Sequence, residues 1–226
     1  TLARRSFLDG WSKTTTPGDV ALFADTFSNY FEPDHLAAAA RLAQRLGAQV
    51  QLAPRVCCGR PLISKGLLDE AAQKAEATTR ALTPLAAQEQ ARKVADACQL
   101  FDTWAAPAMK RAKLSLQSGP AKILVHGHCH QKALEGTGAT IALLSAIPEC
   151  EAISLDSGCC GMAGLFGYEH YELSQAIGER RLLPAVREAG PDAAVVATGF
   201  SCRQQVAHFT GVAAHSPATL LDSLCP

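Results

Sequence analysis

Nine cysteines stand in a chain of 226 residues, and four of them form two adjacent pairs, Cys57-Cys58 and Cys159-Cys160, each followed by a glycine. Thiolate sulfur is the soft donor that selects zinc and iron–sulfur clusters. In the second half Cys129, Cys159, Cys160 and Cys202 offer four thiolates, enough for one cluster or one tetrahedral zinc ion. Ordinary zinc sites favour two to four residues between ligands, so adjacent cysteines suit a cluster better. Gly59 and Gly161 fit sharp turns at positive φ, or close approach of the backbone to a bulky ligand. A free cysteine often does no more than pack in a core, but two Cys-Cys-Gly turns in a repeated frame ask for more than packing. His126, His128 and His130 alternate around Cys129. In an extended strand the three would share a face and, with Cys129, make a zinc site or donate hydrogen bonds to cluster sulfur. His128 and His130 are the best-placed candidates. Arg60 and Arg203 follow Cys58-Gly59 and Cys202, where each could hold an anionic cluster or a substrate carboxylate.

The elements that must position these residues are legible from hydrophobic runs. Val20–Ala24 reads as a buried strand, Asp34–Leu46 as an amphipathic helix closed by Gly47, and Gln49–Leu52 as a strand that runs into Cys57-Cys58-Gly59. Two long helical stretches follow, 66–88 and 89–112, with Pro84 and Pro107 expected to break or kink them. Pro120–Val125 is a strand leading into His126–His130, Gln131–Ile147 a helix, and Ala152–Leu155 a strand ending at Cys159-Cys160-Gly161. A helix over 169–189, a strand over 193–197 and the segment Gly199-Phe-Ser-Cys202 complete the pattern. Strand, helix, strand, Cys-Cys-Gly and helix thus occur twice. The reading is α/β: two pseudo-repeated parallel β-α-β units with long helices and Cys-Cys-Gly turns at strand ends. Ligands of such sheets collect beyond the carboxyl ends of the strands, which is where Cys129, Cys159, Cys160 and Cys202 fall. The expected organisation is an introductory segment, 1–18, a first repeat, 19–117, and a second, 118–226. The glycines between Gly161 and Gly167 lack the Lys-Ser/Thr of a phosphate loop and the spacing of a dinucleotide fingerprint. They give a turn room.

Composition narrows the function classes. Lys plus Arg and Asp plus Glu number 21 each, and the zero net charge supplies no drive toward nucleic acid or anionic lipid. With 48% apolar and 19% charged residues the chain can bury a core without disulfides or metal. No apolar run reaches the length of a membrane span. The start, Thr1-Leu-Ala-Arg-Arg, does not read as a signal peptide, and a chain without an initiator Met is expected to be a fragment or a processed form. An odd cysteine count without that signal suits a reducing compartment. The expected location is cytoplasmic, or the inner face of the membrane through a partner.

One Cys, a Cys-Cys-Gly about thirty residues on, and a further Cys about forty beyond that resemble the cysteine-rich CCG domain. That domain occurs in heterodisulfide reductase, in glycolate oxidase iron–sulfur subunits and in anaerobic glycerol-3-phosphate dehydrogenase. The segments Asp25–Pro33, Cys57–Pro61, His126–Leu134, Ser157–Gly164 and Gly199–Arg203 are similar, more closely, to the C-terminal part of long FAD-linked oxidases of the D-lactate and D-2-hydroxyglutarate dehydrogenase type. The resemblance implies electron transfer through an iron–sulfur cluster, with FAD carried only on a partner domain. A flavin domain and a ferredoxin-like segment are the implied partners, in the same full-length chain or on another polypeptide. In the first repeat Asp25 or Thr26 stands where the second has Cys129, so a second metal site there would rest on Cys57, Cys58 and the Asp25 carboxylate. Cys98 lies 40 positions after Cys58, against 42 from Cys160 to Cys202, but in a helical context, and a family segment is expected to be missing near Gln88. Gly199 replaces a further cysteine of the heterodisulfide reductase pattern, which favours a conventional [4Fe–4S] cluster over a noncubane one. Cys150 and Cys225 have no partner in the pattern and read as structural. The alternatives are a zinc-binding structural or interaction domain without redox role, and a thiol reductase acting through a Cys-Cys pair.

Overall fold

The computed structural model describes residues 2–11, 18–86, 91–164 and 166–226. They form a mixed α/β structure whose strands pair in parallel in two small sheets. The chain divides into two compact units, Thr1–Trp104 and Ala105–Pro226. The expected gap near Gln88 lies outside the described residues.

In the first unit, α1 (Phe7–Gly10) starts with a capping box in which the Ser6 hydroxyl and the Asp9 carboxylate satisfy each other's backbone N–H groups. β1 (Val20–Leu22), α2 (Thr26–Tyr30), α3 (Pro33–Arg45) and β2 (Val50–Leu52) make a parallel β-α-β unit with Val20 beside Val50. The apolar face of α3 buries Leu36, Leu42 and a row of alanines. Gly47, at φ +89°, ends it: its N–H donates to the Gln44 carbonyl, and that of Ala48 donates to Ala43. After β2 the chain passes Cys57-Cys58-Gly59, with Gly59 at φ +77°, into α4 (Arg60–Ser64) and α5 (Leu68–Leu82). Pro84 sits in the 3₁₀ turn Thr83–Leu85 that ends α5. α6 (Ala91–Ala97) and α7 (Phe101–Ala112) follow. α7 continues through Pro107, where the sequence predicts a break or kink, at the cost of one backbone hydrogen bond.

The second unit carries the larger sheet. β3 (Lys122–His126) is followed by α8 (Cys129–Leu134), α9 (Gly138–Leu144) and β4 (Glu151–Ser154). Next come α10 (Phe166–Glu169), α11 (Tyr171–Glu179), α12 (Leu182–Glu188), β5 (Ala193–Ala197), α13 (Phe200–Thr210) and α14 (Pro217–Ser223). The strand order β4-β3-β5 puts β3 in the centre, with Val125 beside Ser154 on one side and Val196 on the other. Ile123, Val125, Val195 and Val196 are buried with Leu143, Leu144, Leu182, Leu183 and Leu221. Each such side chain is worth roughly 1.5–3 kcal/mol relative to exposure.

Two expectations of continuous helix change. The stretch 131–147 breaks after Leu134 because Gly136 turns the chain at φ +73°. The stretch 169–189 becomes α11 and α12, since Arg181, at φ −153°, leaves the helical region between them.

Candidate metal centre

Because the three strands of the second unit are parallel, their carboxyl ends share one edge, and each delivers a loop with chemistry. β3 ends at His126 and hands over to Cys129, the first residue of α8. The loop after β4 carries Ser157, Cys159 and Cys160; the one after β5 leads through Gly199 to Cys202 in the first turn of α13. The donor atoms of His126, Cys160 and Cys202 all lie within 4.8 Å of one another, and all three residues are buried. Cys159 is half-buried, its sulfur accepting from the Gly161 N–H at 3.3 Å. Cys129 is half-buried at the start of α8 and lies outside the 4.8 Å group, as does Cys159.

The site's shape depends on two glycines. Gly161 holds φ +100°, and a Cβ there would collide with the Ser174 carbonyl oxygen. A Cβ on Gly199 would lie 2.5 Å from the His128 ring and 3.0 Å from the Cys202 sulfur. No other residue fits without moving the loop. A hydrogen-bond chain ties the loops together: the His128 N–H donates to Thr198 Oγ1 (2.8 Å), Thr198 donates to Gln131 Oε1 (2.6 Å), and Gln131 donates to Thr140 (2.8 Å). Arg203, buried beside Cys202, places Nη1 on the carbonyls of Ala197 (2.7 Å) and Thr198 (3.1 Å), so its charge supports the carboxyl end of β5.

Cys159 and Cys160 are not reactive thiolates in the metal-free chain. Hydrogen bonding to Cys160, then burial, pushes the Cys159 thiol well above the usual thiol range, against the Gly161 N–H. Its bond to Cys159 works to lower Cys160, but the bond to Cys202 and burial win and push that thiol up to about 12. Both are protonated near neutral pH, which argues against direct thiol chemistry and means that a metal must displace their protons. Burial, helped by the Lys132 cation and opposed by Cys159, lowers His126 to about 4, so its imidazole is neutral. Cys160 and Cys202 also belong to an apolar cluster with Met162, Leu182, Leu183, Val186 and Val206. Packing alone does not account for a buried imidazole nitrogen, His126 Nε2, that has no hydrogen-bond partner among the described residues. Soft buried thiols, a neutral imidazole and an orphaned nitrogen fit a metal centre.

His128 and His130 are placed differently from the extended-strand expectation. The strand stops at His126, and His128 caps α8, its Nδ1 accepting from the His130 N–H at 3.3 Å. His130 is exposed. The imidazole grouped within 4.8 Å of both the Cys160 and the Cys202 sulfur is that of His126, which also contacts Ser157. Its position at the end of the apolar run Ile123-Leu-Val125 was the available signal.

The first unit does not assemble an equivalent group among its described residues. Asp25 uses Oδ1 to cap α2, accepting from the N–H groups of Phe27 (2.9 Å) and Ser28 (3.1 Å). Cys57 is half-buried, its carbonyl accepting from Thr78 Oγ1 (2.7 Å), and Cys58 is exposed. Arg60 is half-buried at the start of α4. Among the described residues, the His126–Cys160–Cys202 group is the one set of three metal-capable side chains so closely placed.

The chain is 30% identical over 231 residues to one subunit, that designated C, of the anaerobic glycerol-3-phosphate dehydrogenase of Escherichia coli (strain K12), covering 89% of this chain and 58% of that protein. It is 28% identical over 246 residues to D-2-hydroxyglutarate dehydrogenase of the same strain, covering 98% of this chain and 24% of that one. The D-2-hydroxyglutarate dehydrogenase of Pantoea ananatis (strain AJ13355) is 27% identical over 242 residues, with 96% and 24% covered. The chain thus spans just over half of the first relative's length and about a quarter of the others'. No solved structure matches it. Residues 123–207, from the central strand through Cys202 into α13, match the family model CCG, described as "Cysteine-rich domain".

Proposed function

We propose that the second unit holds an iron–sulfur cluster, of the [4Fe–4S] type, through Cys129, Cys159, Cys160 and Cys202, and that it relays electrons in an FAD-linked 2-hydroxy-acid dehydrogenase. The observation that carries the reading is the gathering of buried thiols and the unpartnered His126 nitrogen at the carboxyl edge of the sheet. Two relatives whose names are those of dehydrogenases, one of them named as a subunit, support placing the module beside a flavin domain and a ferredoxin-like segment. The cluster supplies one-electron chemistry; the chain supplies ligation, a dry surround and fixed dipoles. Lys132 Nζ donates to the Gly158 carbonyl at 2.6 Å and puts a positive charge beside the Cys159 loop, which favours anionic thiolates once metal displaces their protons. The pseudo-repeats 19–117 and 118–226 then differ in role, with the metal centre in the second. Among the described residues no helix is long and apolar enough to cross a membrane.

A second reading, a structural zinc site, is favoured by one specific observation. A tetrahedral zinc ion with bonds of about 2.0–2.3 Å holds its donors roughly 3.5–4 Å apart, and three donors here lie within 4.8 Å of one another. Anaerobic purification followed by iron, sulfide and zinc analysis with a visible spectrum separates the two. About four irons and four sulfides per chain are expected for one cubane cluster. Cys129→Ser and Cys159→Ser should lose that iron and Cys150→Ser should keep it; equal iron in all three would sink the ligand assignment. Stoichiometric zinc without iron after reconstitution selects the second reading.

A further inference from the structure

We propose that His126 is itself a ligand of this metal centre, bonding through Nε2, so that coordination is mixed nitrogen and sulfur. The inference rests on the reading that the second unit binds metal, and gives His126 one of the four donor places, in place of one of the four cysteines, so that three thiolates remain. His126 is fully buried at the end of the central strand, with its backbone held against β5. It pairs in register with Ala197, and its carbonyl accepts from the Thr198 N–H at 3.3 Å. The ring is fixed as well, because Nδ1 lies 2.6 Å from the Ser157 hydroxyl. That hydroxyl has its own acceptor in the Leu155 carbonyl at 3.5 Å, so Nδ1–H donates to Ser157 Oγ and the lone pair is left on Nε2. Nε2 is buried without a partner among the described residues, and the ring's donor atom is within 4.8 Å of the sulfurs of Cys160 and Cys202. A ring with one nitrogen tied to a hydroxyl and the other bare, buried beside two thiols, is how a metal-ligating histidine is held.

The rival roles are a core histidine that only packs, and an Nε2–H that donates to a cluster sulfur. Neither places histidine nitrogen on the metal. The test loads the full chain anaerobically, one sample with iron and sulfide and another with Co²⁺ as a stand-in for zinc. The iron–sulfur sample is reduced by one electron per cluster with dithionite to make it paramagnetic, and electron spin-echo modulation of both samples is then recorded with and without ¹⁵N-labelled histidine. The expected result is a directly bound nitrogen signal that shifts with the label in wild type and is absent from His126→Cys. That variant keeps a fourth donor and should retain metal. Ser157→Ala should keep the nitrogen signal while weakening metal binding about 10–100-fold, the usual effect of removing an outer hydrogen-bond partner. Metal retained without a histidine signal, or with one that persists in His126→Cys, overturns this inference and leaves the metal-centre reading intact. Failure of wild type to hold either metal overturns both. The wild-type labelling comparison decides the matter even where His126→Cys fails to fold, which circular dichroism reports.

Discussion

At the scale of single residues, the site stores protons that a metal must displace. Cys159 and Cys160 are held as thiols by mutual hydrogen bonding and burial. The metal-free chain should therefore be alkylated fast at exposed Cys58 and slowly at this pair, followed by peptide mass spectrometry. Rapid labelling of Cys159 would revive direct thiol chemistry. His126 makes a second prediction. Its folded pKa of about 4 lies below the ordinary histidine value of 6.5, so the unfolded chain binds the proton first as pH falls. The stability this gives the metal-free chain is fully present above pH 6.5 and is lost as pH falls from there through 4. It amounts to roughly 3 kcal/mol, at the usual 1.36 kcal/mol for each tenfold change in proton affinity. Urea unfolding at pH 7 and about pH 4.5 should show the loss, and His126→Gln should reduce it.

At the scale of elements, the turns after the strands set the geometry. Gly161→Ala combines a left-handed backbone with a collision against Ser174 in α11, whose side chain also accepts from Gln205 Nε2 of α13 at 3.0 Å. A loss of about 2–4 kcal/mol is expected, the sum of strain and overpacking. Gly47→Ala is the control: it has the same sign of φ but open space around the added carbon, and should cost only about 1–2 kcal/mol. Thermal denaturation of the two variants compares them, and equal losses would mean that the Ser174 contact yields freely. Such turns were readable in advance from Cys-Cys-Gly because a left-handed backbone falls to glycine. The breaks at Gly136 and Arg181 were not, since each interrupts a pattern that a helix satisfies locally.

At the scale of the whole molecule, the chain separates into two units, and the close donor group lies in one of them. A fragment from Phe101 to Pro226, which keeps α7 whole, should fold on its own and bind as much metal per chain as the full protein. Circular dichroism and metal analysis check this. Half the metal content in the fragment would point to a second centre built on Cys57 and Cys58. The first unit has a parallel β-α-β frame of its own, in which Asp25 is a helix cap.

The sequence by itself determined the α/β class, the parallel strands, the Cys-Cys-Gly turns and the resemblance to a cysteine-rich domain. Each is written in local patterns: apolar runs of strand length, glycine where φ must be positive, and cysteines at fixed spacing. Only the tertiary structure decided which imidazole falls within 4.8 Å of two buried thiols. Sequence spacing favoured His128 and His130, the immediate neighbours of Cys129, but the strand ends at His126 and the chain turns into α8. The choice depends on where β3 stops relative to the loops after β4 and β5, residues 31 to 76 positions away in the chain. Parallel pairing brings those loops to one edge, and no local pattern records which atoms then face one another.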